Sequence, residues 1–557
     1  MTLSFHRNHI MTSDTTWPTA TPTDVRAALL ARDEIALLDV REEDPHAQAH
    51  PLWAANLPLS RLELDAWGRL PRRDARLVVF DDGEGLAERA ALRLRELGYT
   101  NVRLLAGGLA GWRDAGGELF RDVNVPSKSF GELVEAERHT PSLSAQEVQA
   151  LLDENADVVV LDARRFDEYQ TMGIPGATSV PGAELVLRVR DLAPDPATRV
   201  IVNCAGRTRS IIGTQSLVNA GIPNPVAALR NGTIGWTLAG QRLAHGQSRR
   251  FGYAPPAGGA ARAAAQQAAA DVARRAGVQR VSVDELARWV HELAQPGGRT
   301  TYRFDVRAPE EYAAGHREGF RSAPGGQLVQ ETEMQVPLRG ARIVLADDDG
   351  VRANMTASWL AQMGWQVAVL DDGSGTGAVP NDATLRTGAD PAPQPAPPAV
   401  RTVTPSTLAD WLTTGDVAVI DVTTSANHVK RHIRGAWWAL RAQLAQALAV
   451  IPPASRYVLT CGSSLLARFA AAELTQLTDR GVWVLEGGNA AWFAAGLPEA
   501  NGDARLASPR IDRYRRPYEG TDNAHAAMQA YLDWEYGLVE QLGRDGTHHF
   551  KVLGAAA

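Results

Sequence analysis

The chain is expected to fold as four tandem α/β units, each a parallel sheet flanked by helices, followed by a C-terminal helical segment. A repeated strand that ends in aspartate is the first sign: ALLDVRE, VVLDARR, YRFDVRA and AVIDVTT place Asp39, Asp162, Asp305 and Asp421. A second apolar strand follows each, running from Arg76, Arg199, Arg342 and Arg456 into a short turn at Asp81, Cys204, Asp347 and Cys461. The turn residue follows the aspartate by 42 residues in the first three repeats and by 40 in the fourth. The third sign is a glycine turn leading to tryptophan, in LLAGGLAGW, ALRNGTIGW and VLEGGNAAW, which puts Trp112, Trp236 and Trp492 31, 32 and 31 residues beyond the turn. Repeat three has VLDDGSGTG there and no tryptophan. Three anchors in register four times define a repeat.

Within a unit, strands alternate with helical stretches such as GLAERAALRLRELG, the pattern of a parallel sheet with right-handed crossovers. Ligands on such sheets bind at the carboxyl ends of the strands, where the four turns fall. The units are expected at residues 1–125, 126–255, 278–385 and 401–503. An Ala-rich, partly helical linker at 256–277 and the Pro-rich spacer at 386–400 would separate them. In the extension 504–557, an amphipathic helix is expected over 522–542 with Met528, Tyr531, Leu532, Leu538, Val539 and Leu542 on one face.

Composition narrows the class. A chain of 557 residues exceeds what one core supports. Its 45% hydrophobic and 22% charged residues are ordinary for a soluble protein, and a net charge of −7 points to neither nucleic acid nor membrane as partner. No apolar run is long enough to span a bilayer, and the N-terminus lacks the h-region of a signal peptide. Two cysteines rule out a disulfide framework and fit a reducing cytoplasm. His316, His432, His548 and His549 lack metal-ligand spacing, so no metal is expected.

Both cysteines occupy the same repeat position, at a turn from strand to helix. A loop closing on a helix N-terminus turns backbone N–H groups toward one point, and the helix dipole adds to this anion cradle. A cysteine there is stabilised as thiolate, and nearby cations lower its pKa below the free value of about 8.5. In VNCAGRTRS, Arg207 and Arg209 are expected to do so and to hold an anionic substrate. Such a thiolate is a nucleophile.

Repeat two reads LDARRFDEYQTMGIPGATSVP, then CAGRTRS, then RNGTIGW, and in this it resembles the rhodanese family of sulfurtransferases. The resemblance extends over all four repeats, so the fold it implies is four tandem rhodanese-like domains. It departs at Gly173, where the family usually has His, and at Asn231, where it has Gly. By resemblance, Cys204 takes sulfane sulfur from a small anionic donor, thiosulfate first, and carries it as a persulfide to a thiol or cyanide. The loop N–H groups of Ala205, Gly206, Arg207, Thr208, Arg209 and Ser210 would cradle the terminal sulfur. The acceptor implied is glutathione or a thioredoxin-like protein, and no cofactor is called for.

Repeats one and three, with Asp81 and Asp347 and acidic neighbours, look structural or regulatory. The CGSSLLA loop of repeat four resembles the CGSGVTA-type loop of mercaptopyruvate sulfurtransferases, with Ser464, Leu465 and Leu466 in place of Gly, Val and Thr. No cation lies in that loop, so Cys461 is either a second active thiol or a relic. An inert unit precedes a cysteine-bearing one twice, as in two-domain sulfurtransferases. A donor pocket between repeats one and two is therefore expected. Asp162 and Arg164 either orient the loop and contact the donor or form a strand-end hydrogen bond. Because the inert repeats keep Asp and Arg at these positions, as Arg41 and Arg307, the structural role is preferred. Tyr531, Trp534 and Tyr536 are expected to pack on repeat four rather than form a docking surface. Phosphoryl chemistry is disfavoured, since the position six residues past the cysteine is Ser210 or Ala467 instead of arginine. A non-catalytic scaffold remains the alternative.

Overall fold

The computed structural model describes residues 17–251, 259–371 and 385–554. The N-terminal reading and most of the DDGSGTG turn of repeat three lie outside these residues. In each unit the central strands are parallel and laid in one order. For repeat two this is Ser142–Leu143, Val226–Leu229, Arg199–Asn203, Val158–Asp162 and Thr178–Ser179. The register explains the conserved geometry of the anchors. Asp39, Asp162, Asp305 and Asp421 pair with Phe80, Asn203, Ala346 and Thr460, each the residue immediately before the turn. The strand-end aspartate therefore stands beside the loop at the carboxyl edge of every sheet.

The turns pass directly into the helices Leu86–Glu96, Thr208–Asn219, Arg352–Gln362 and Leu465–Leu477. The glycine turn then comes back against the loop. A Cβ on Gly232 would lie 2.3 Å from the Cys204 carbonyl, and one on Gly488 2.2 Å from that of Cys461, so only glycine permits the approach. The preceding position needs a left-handed backbone, and Asn231 supplies it at φ 62° in place of the family's glycine. Trp112, Trp236 and Trp492 are buried behind this turn with their indole N–H groups donated to the carbonyls of Glu118, Arg242 and Pro498.

Three expectations are corrected. The Ala-rich stretch is a continuous helix, Ala260–Arg275, whose Ala265, Ala269 and Val272 are buried in the core of repeat two together with Val351 and Met355 of repeat three. It is a packed element because small side chains let helices approach closely. The C-terminal helix is two, His525–Tyr536 and Leu538–Asp545, meeting at Gly537. It packs on repeat two, against Ala205 and Ile234, and its continuation enters the core shared by repeats one and three; it does not pack on repeat four.

The units also pair differently from a tandem of two-domain pairs. Repeat four meets repeat one: Arg441 forms an ion pair with Glu63, and Arg89 donates to the carbonyl of Ala442. Repeat two meets repeat three, through Arg352 with Glu184 and the Trp359 indole on Ser216. Repeats one and three share a core, and the strand Leu338–Arg339 extends the sheet of repeat one antiparallel to Ile35–Asp39.

Candidate active site

Cys461 follows the strand Arg456–Thr460 and is 5% exposed. Ser464, in the left-handed region at φ 70°, turns the chain into the helix, and the N–H groups of Ala467, Ser463 and Leu466 converge on the sulfur. Burial pushes this thiol up, and those three N–H groups oppose it. The loop is anchored from behind by the N–H of Asn489 on the Cys461 carbonyl at 2.7 Å. Cys461 borders a cavity of about 620 Å³ between repeats four and one, whose wall includes Glu42, Ser60, Arg69, Thr423 and Arg441. This is the size of a small-molecule site.

The cysteine-less repeats show what the cradle holds by itself. Asp81 accepts from the N–H groups of Gly83, Leu86 and Ala87 at 3.1, 2.6 and 3.1 Å. Asp347 accepts from Gly350 and Ala353 at 3.1 and 2.8 Å. In both, a carboxyl group fills the position of the sulfur, and the residue six places on donates just as Ala467 does. Burial and the neighbouring Asp349 raise Asp347 well above the usual carboxylate range.

Cys204 has the same backbone and a different environment. It is 1% exposed, and it borders none of the described cavities. Its thiol donates to Ser210 Oγ at 3.4 Å, and that hydroxyl donates to the Arg207 carbonyl. Burial pushes the thiol up; Arg209 and Ser210 oppose this, and Glu535 reinforces it. The expectation that two arginines would make a low-pKa thiolate is thus reversed in the net direction.

Arg207 points away from the sulfur, held by Glu132 at 2.7 and 2.8 Å, by Glu135, and by Asn231 and Tyr536. Arg209 does act on the thiol, yet both its terminal nitrogens are bound by Glu168 at 2.8 and 2.9 Å. The loop is covered by the C-terminal helix. A Cβ on Gly206 would meet the Tyr531 ring at 3.2 Å, and Ala205 is buried with Tyr531 and Leu532. Thr208 packs against Gly131 of the helix Val125–Arg138, and its hydroxyl is buried without a partner among the described residues. Arg164 is buried, bidentate to Asp162 at 2.9 and 2.7 Å, and donates to the Met172 carbonyl. Arg41 and Arg307 repeat this in the cysteine-less units, as a strand-end brace requires.

No described cavity lies mainly between repeats one and two, where the donor pocket is expected: one of about 350 Å³ beside Arg164 and Arg209 takes a single wall residue, Asn124, from repeat one and the rest from repeats two and three and the C-terminal extension. The larger cavities bordering the loops lie between repeats four and one, and between two and three, where a cavity of about 510 Å³ is lined by Arg209, Pro181 and Gly325. Glu42, Ser60 and Arg69 were invisible as site residues because repeat one delivers them from nearly 400 positions away, against Arg441 and Ala442.

Four parallel units, each with an anion cradle at the carboxyl edge and two holding thiols there, define an enzyme class built on a loop cysteine. The chain belongs to the rhodanese family: the family model described as Rhodanese-like domain matches residues 21–115, 144–239, 284–375 and 404–495. A crystal structure of a thiosulfate sulfurtransferase from Pseudomonas aeruginosa is 67% identical, covers 96% of this chain and 100% of its own, and superposes with a TM-score of 0.93. The putative thiosulfate sulfurtransferase SseB of Mycobacterium tuberculosis is 29% identical over 210 residues, which are 30% of this chain and 71% of that protein.

Proposed function

We propose that the protein transfers sulfane sulfur from a small anionic donor, thiosulfate first, to a thiol or cyanide, and that Cys461 carries it as a persulfide. The observation that supports Cys461 over Cys204 is its place on an open cavity with three N–H groups aimed at the sulfur. The Cys461 thiolate attacks the sulfane sulfur of thiosulfate. The S–S bond breaks, its electron pair leaves on sulfite, and the enzyme holds Cys461–S–S⁻. Hydrogen bonds to a charged acceptor contribute about 1.5–3 kcal/mol each, so the cradle lessens, without cancelling, the effect of burial on the anion. The similarity to two thiosulfate sulfurtransferases supports the donor.

Incubation with thiosulfate followed by peptide mass spectrometry tests this. One added sulfur on the Cys461 peptide, removed by cyanide, is expected. Sulfur on the Cys204 peptide alone would return the chemistry to repeat two. Sulfur on neither, with mercaptopyruvate also inactive, would favour the scaffold.

A further inference from the structure

Glu42 belongs to repeat one, which carries no cysteine, yet its side chain borders the Cys461 cavity. It is 6% exposed. Its Oε1 accepts the Ser60 hydroxyl at 2.5 Å, and Ser60 Oγ in turn accepts the N–H of Ala442 at 3.2 Å across the junction with repeat four. No protein group among the described residues bonds its other carboxylate oxygen. The orientation is therefore set by both repeats, with one oxygen left for a ligand.

Apart from Asp512, the other charged groups around this cavity are committed elsewhere. Arg441 is bound by Glu63 and Glu473, Arg513 by Glu519, and Arg61 by Asp65. Glu43 faces Arg516, and Arg69 donates to the carbonyls of Met334 and Asn56. Asp512 accepts the Ser425 N–H through one oxygen, and the other is buried without a partner. Burial raises Glu42 to about 7, with Asp512 adding to the rise and Ser60 and Arg61 opposing it. A carboxyl group with that pKa exchanges protons near neutrality.

We propose that Glu42 is the base that takes the proton of a low-molecular-weight thiol acceptor seated in the Cys461 cavity. This rests on Cys461 being the persulfide carrier. The volume, about 620 Å³, is far more than a thiosulfate ion fills and suits a small organic thiol. In the step, the Glu42 carboxylate removes the S–H proton of the acceptor and becomes the acid. The acceptor thiolate attacks the outer sulfur of Cys461–S–S⁻, the inner S–S bond breaks, and its electron pair stays on Cys461 as thiolate. The products are the acceptor persulfide anion, the Cys461 thiolate and protonated Glu42, so charge and protons balance. Sulfite needs no such base, because near neutral pH much of it is already the dianion, and its attack on the outer sulfur simply reverses the loading step.

The test is the discharge of thiosulfate-loaded, full-length enzyme, with glutathione and sulfite as alternative acceptors. Glu42→Gln is expected to load normally and to discharge to sulfite within about twofold of the wild type. Its discharge to glutathione at pH 7 should fall on the order of 10²-fold, the usual size of a general-base contribution. The wild-type glutathione rate should rise through pH 7 as Glu42 ionises, and this limb should be missing in the variant. Above pH 9, where the free thiol ionises by itself, the two should converge. Ser60→Ala, which removes the hydrogen bond that orients Glu42 together with the acceptor of the Ala442 N–H, should show the same selective loss to a smaller degree.

Glutathione discharge by Glu42→Gln at the wild-type rate, or an unchanged pH profile, would overturn the role of Glu42 and leave the persulfide standing. Equal losses with sulfite and glutathione would also overturn it, as a structural defect. No sulfur on Cys461 in the wild type would overturn both readings.

Discussion

At the scale of single residues, the same loop backbone yields two thiols of different use. Both are pushed up by burial, so the reactive anion is scarce in the empty enzyme at neutral pH and grows as pH rises past the ordinary value of about 8.5. Iodoacetamide should accordingly modify the native protein slowly at pH 7 and faster at pH 9, with Cys461, on its cavity, labelled before Cys204. Peptide mapping over a time course reads the order, and Cys204 first would contradict it. Cys461→Ser should lower thiosulfate sulfurtransferase activity by about 10³-fold or more, while Cys204→Ser stays within about twofold, as steady-state rates will show. The carboxylates that replace sulfur have a measurable structural role. Asp81→Ala would leave three loop N–H groups without their acceptor, at a cost of about 1–3 kcal/mol in a denaturant titration.

At the scale of elements, the helix His525–Tyr536 decides the state of repeat two. Its Tyr531 lies over Gly206, its Tyr536 ring stacks 4.2 Å from the Arg207 guanidinium, and its Glu535, raised to about 8 by burial and Glu132, faces the loop. Lys128 holds the same helix from below, with the rings of Tyr531, Trp534 and Tyr518 all within 5.5 Å. Tyr531→Ala should cost about 3 kcal/mol of stability, by analogy with other buried aromatic truncations. It should also speed alkylation of Cys204 without changing that of Cys461. Equal acceleration at both thiols would mean general loosening rather than removal of a cover.

At the scale of the molecule, each thiol-bearing unit faces a cysteine-less one from the other half of the chain. Charge clusters tie the junctions. Arg352 is nearly fully buried among Glu184, Glu311, Asp348 and Asp349, joining repeats two and three. Arg352→Ala leaves these carboxylates uncompensated and should cost about 3–5 kcal/mol at neutral pH. Burial raises Glu184, so in the variant the acids take up protons as pH falls and the penalty should shrink toward pH 5. Thermal melts of the two proteins across pH would show a gap that narrows in acid; a constant gap would argue against electrostatics as its cause.

The sequence by itself determined the four units, their parallel sheets, the loop at each strand end and the two thiols within those loops. These depend on contacts between residues close in the chain or in a fixed register, such as Asp162 opposite Asn203, so periodicity and spacing carry them. The departure at Asn231 was visible in the sequence, but its accommodation by a left-handed backbone at φ 62° is a finding of the fold. Tertiary structure alone decided which cysteine meets an open cavity. Arg207 reads locally as a partner for Cys204, but Glu132 and Tyr536 are stronger and nearer claimants for its charge. Cys461 has no cation in its loop, but repeat one brings it a cavity wall from the far end of the chain. Domain pairing depends on surface shape and charge summed over whole faces, and no spacing along the chain encodes that sum.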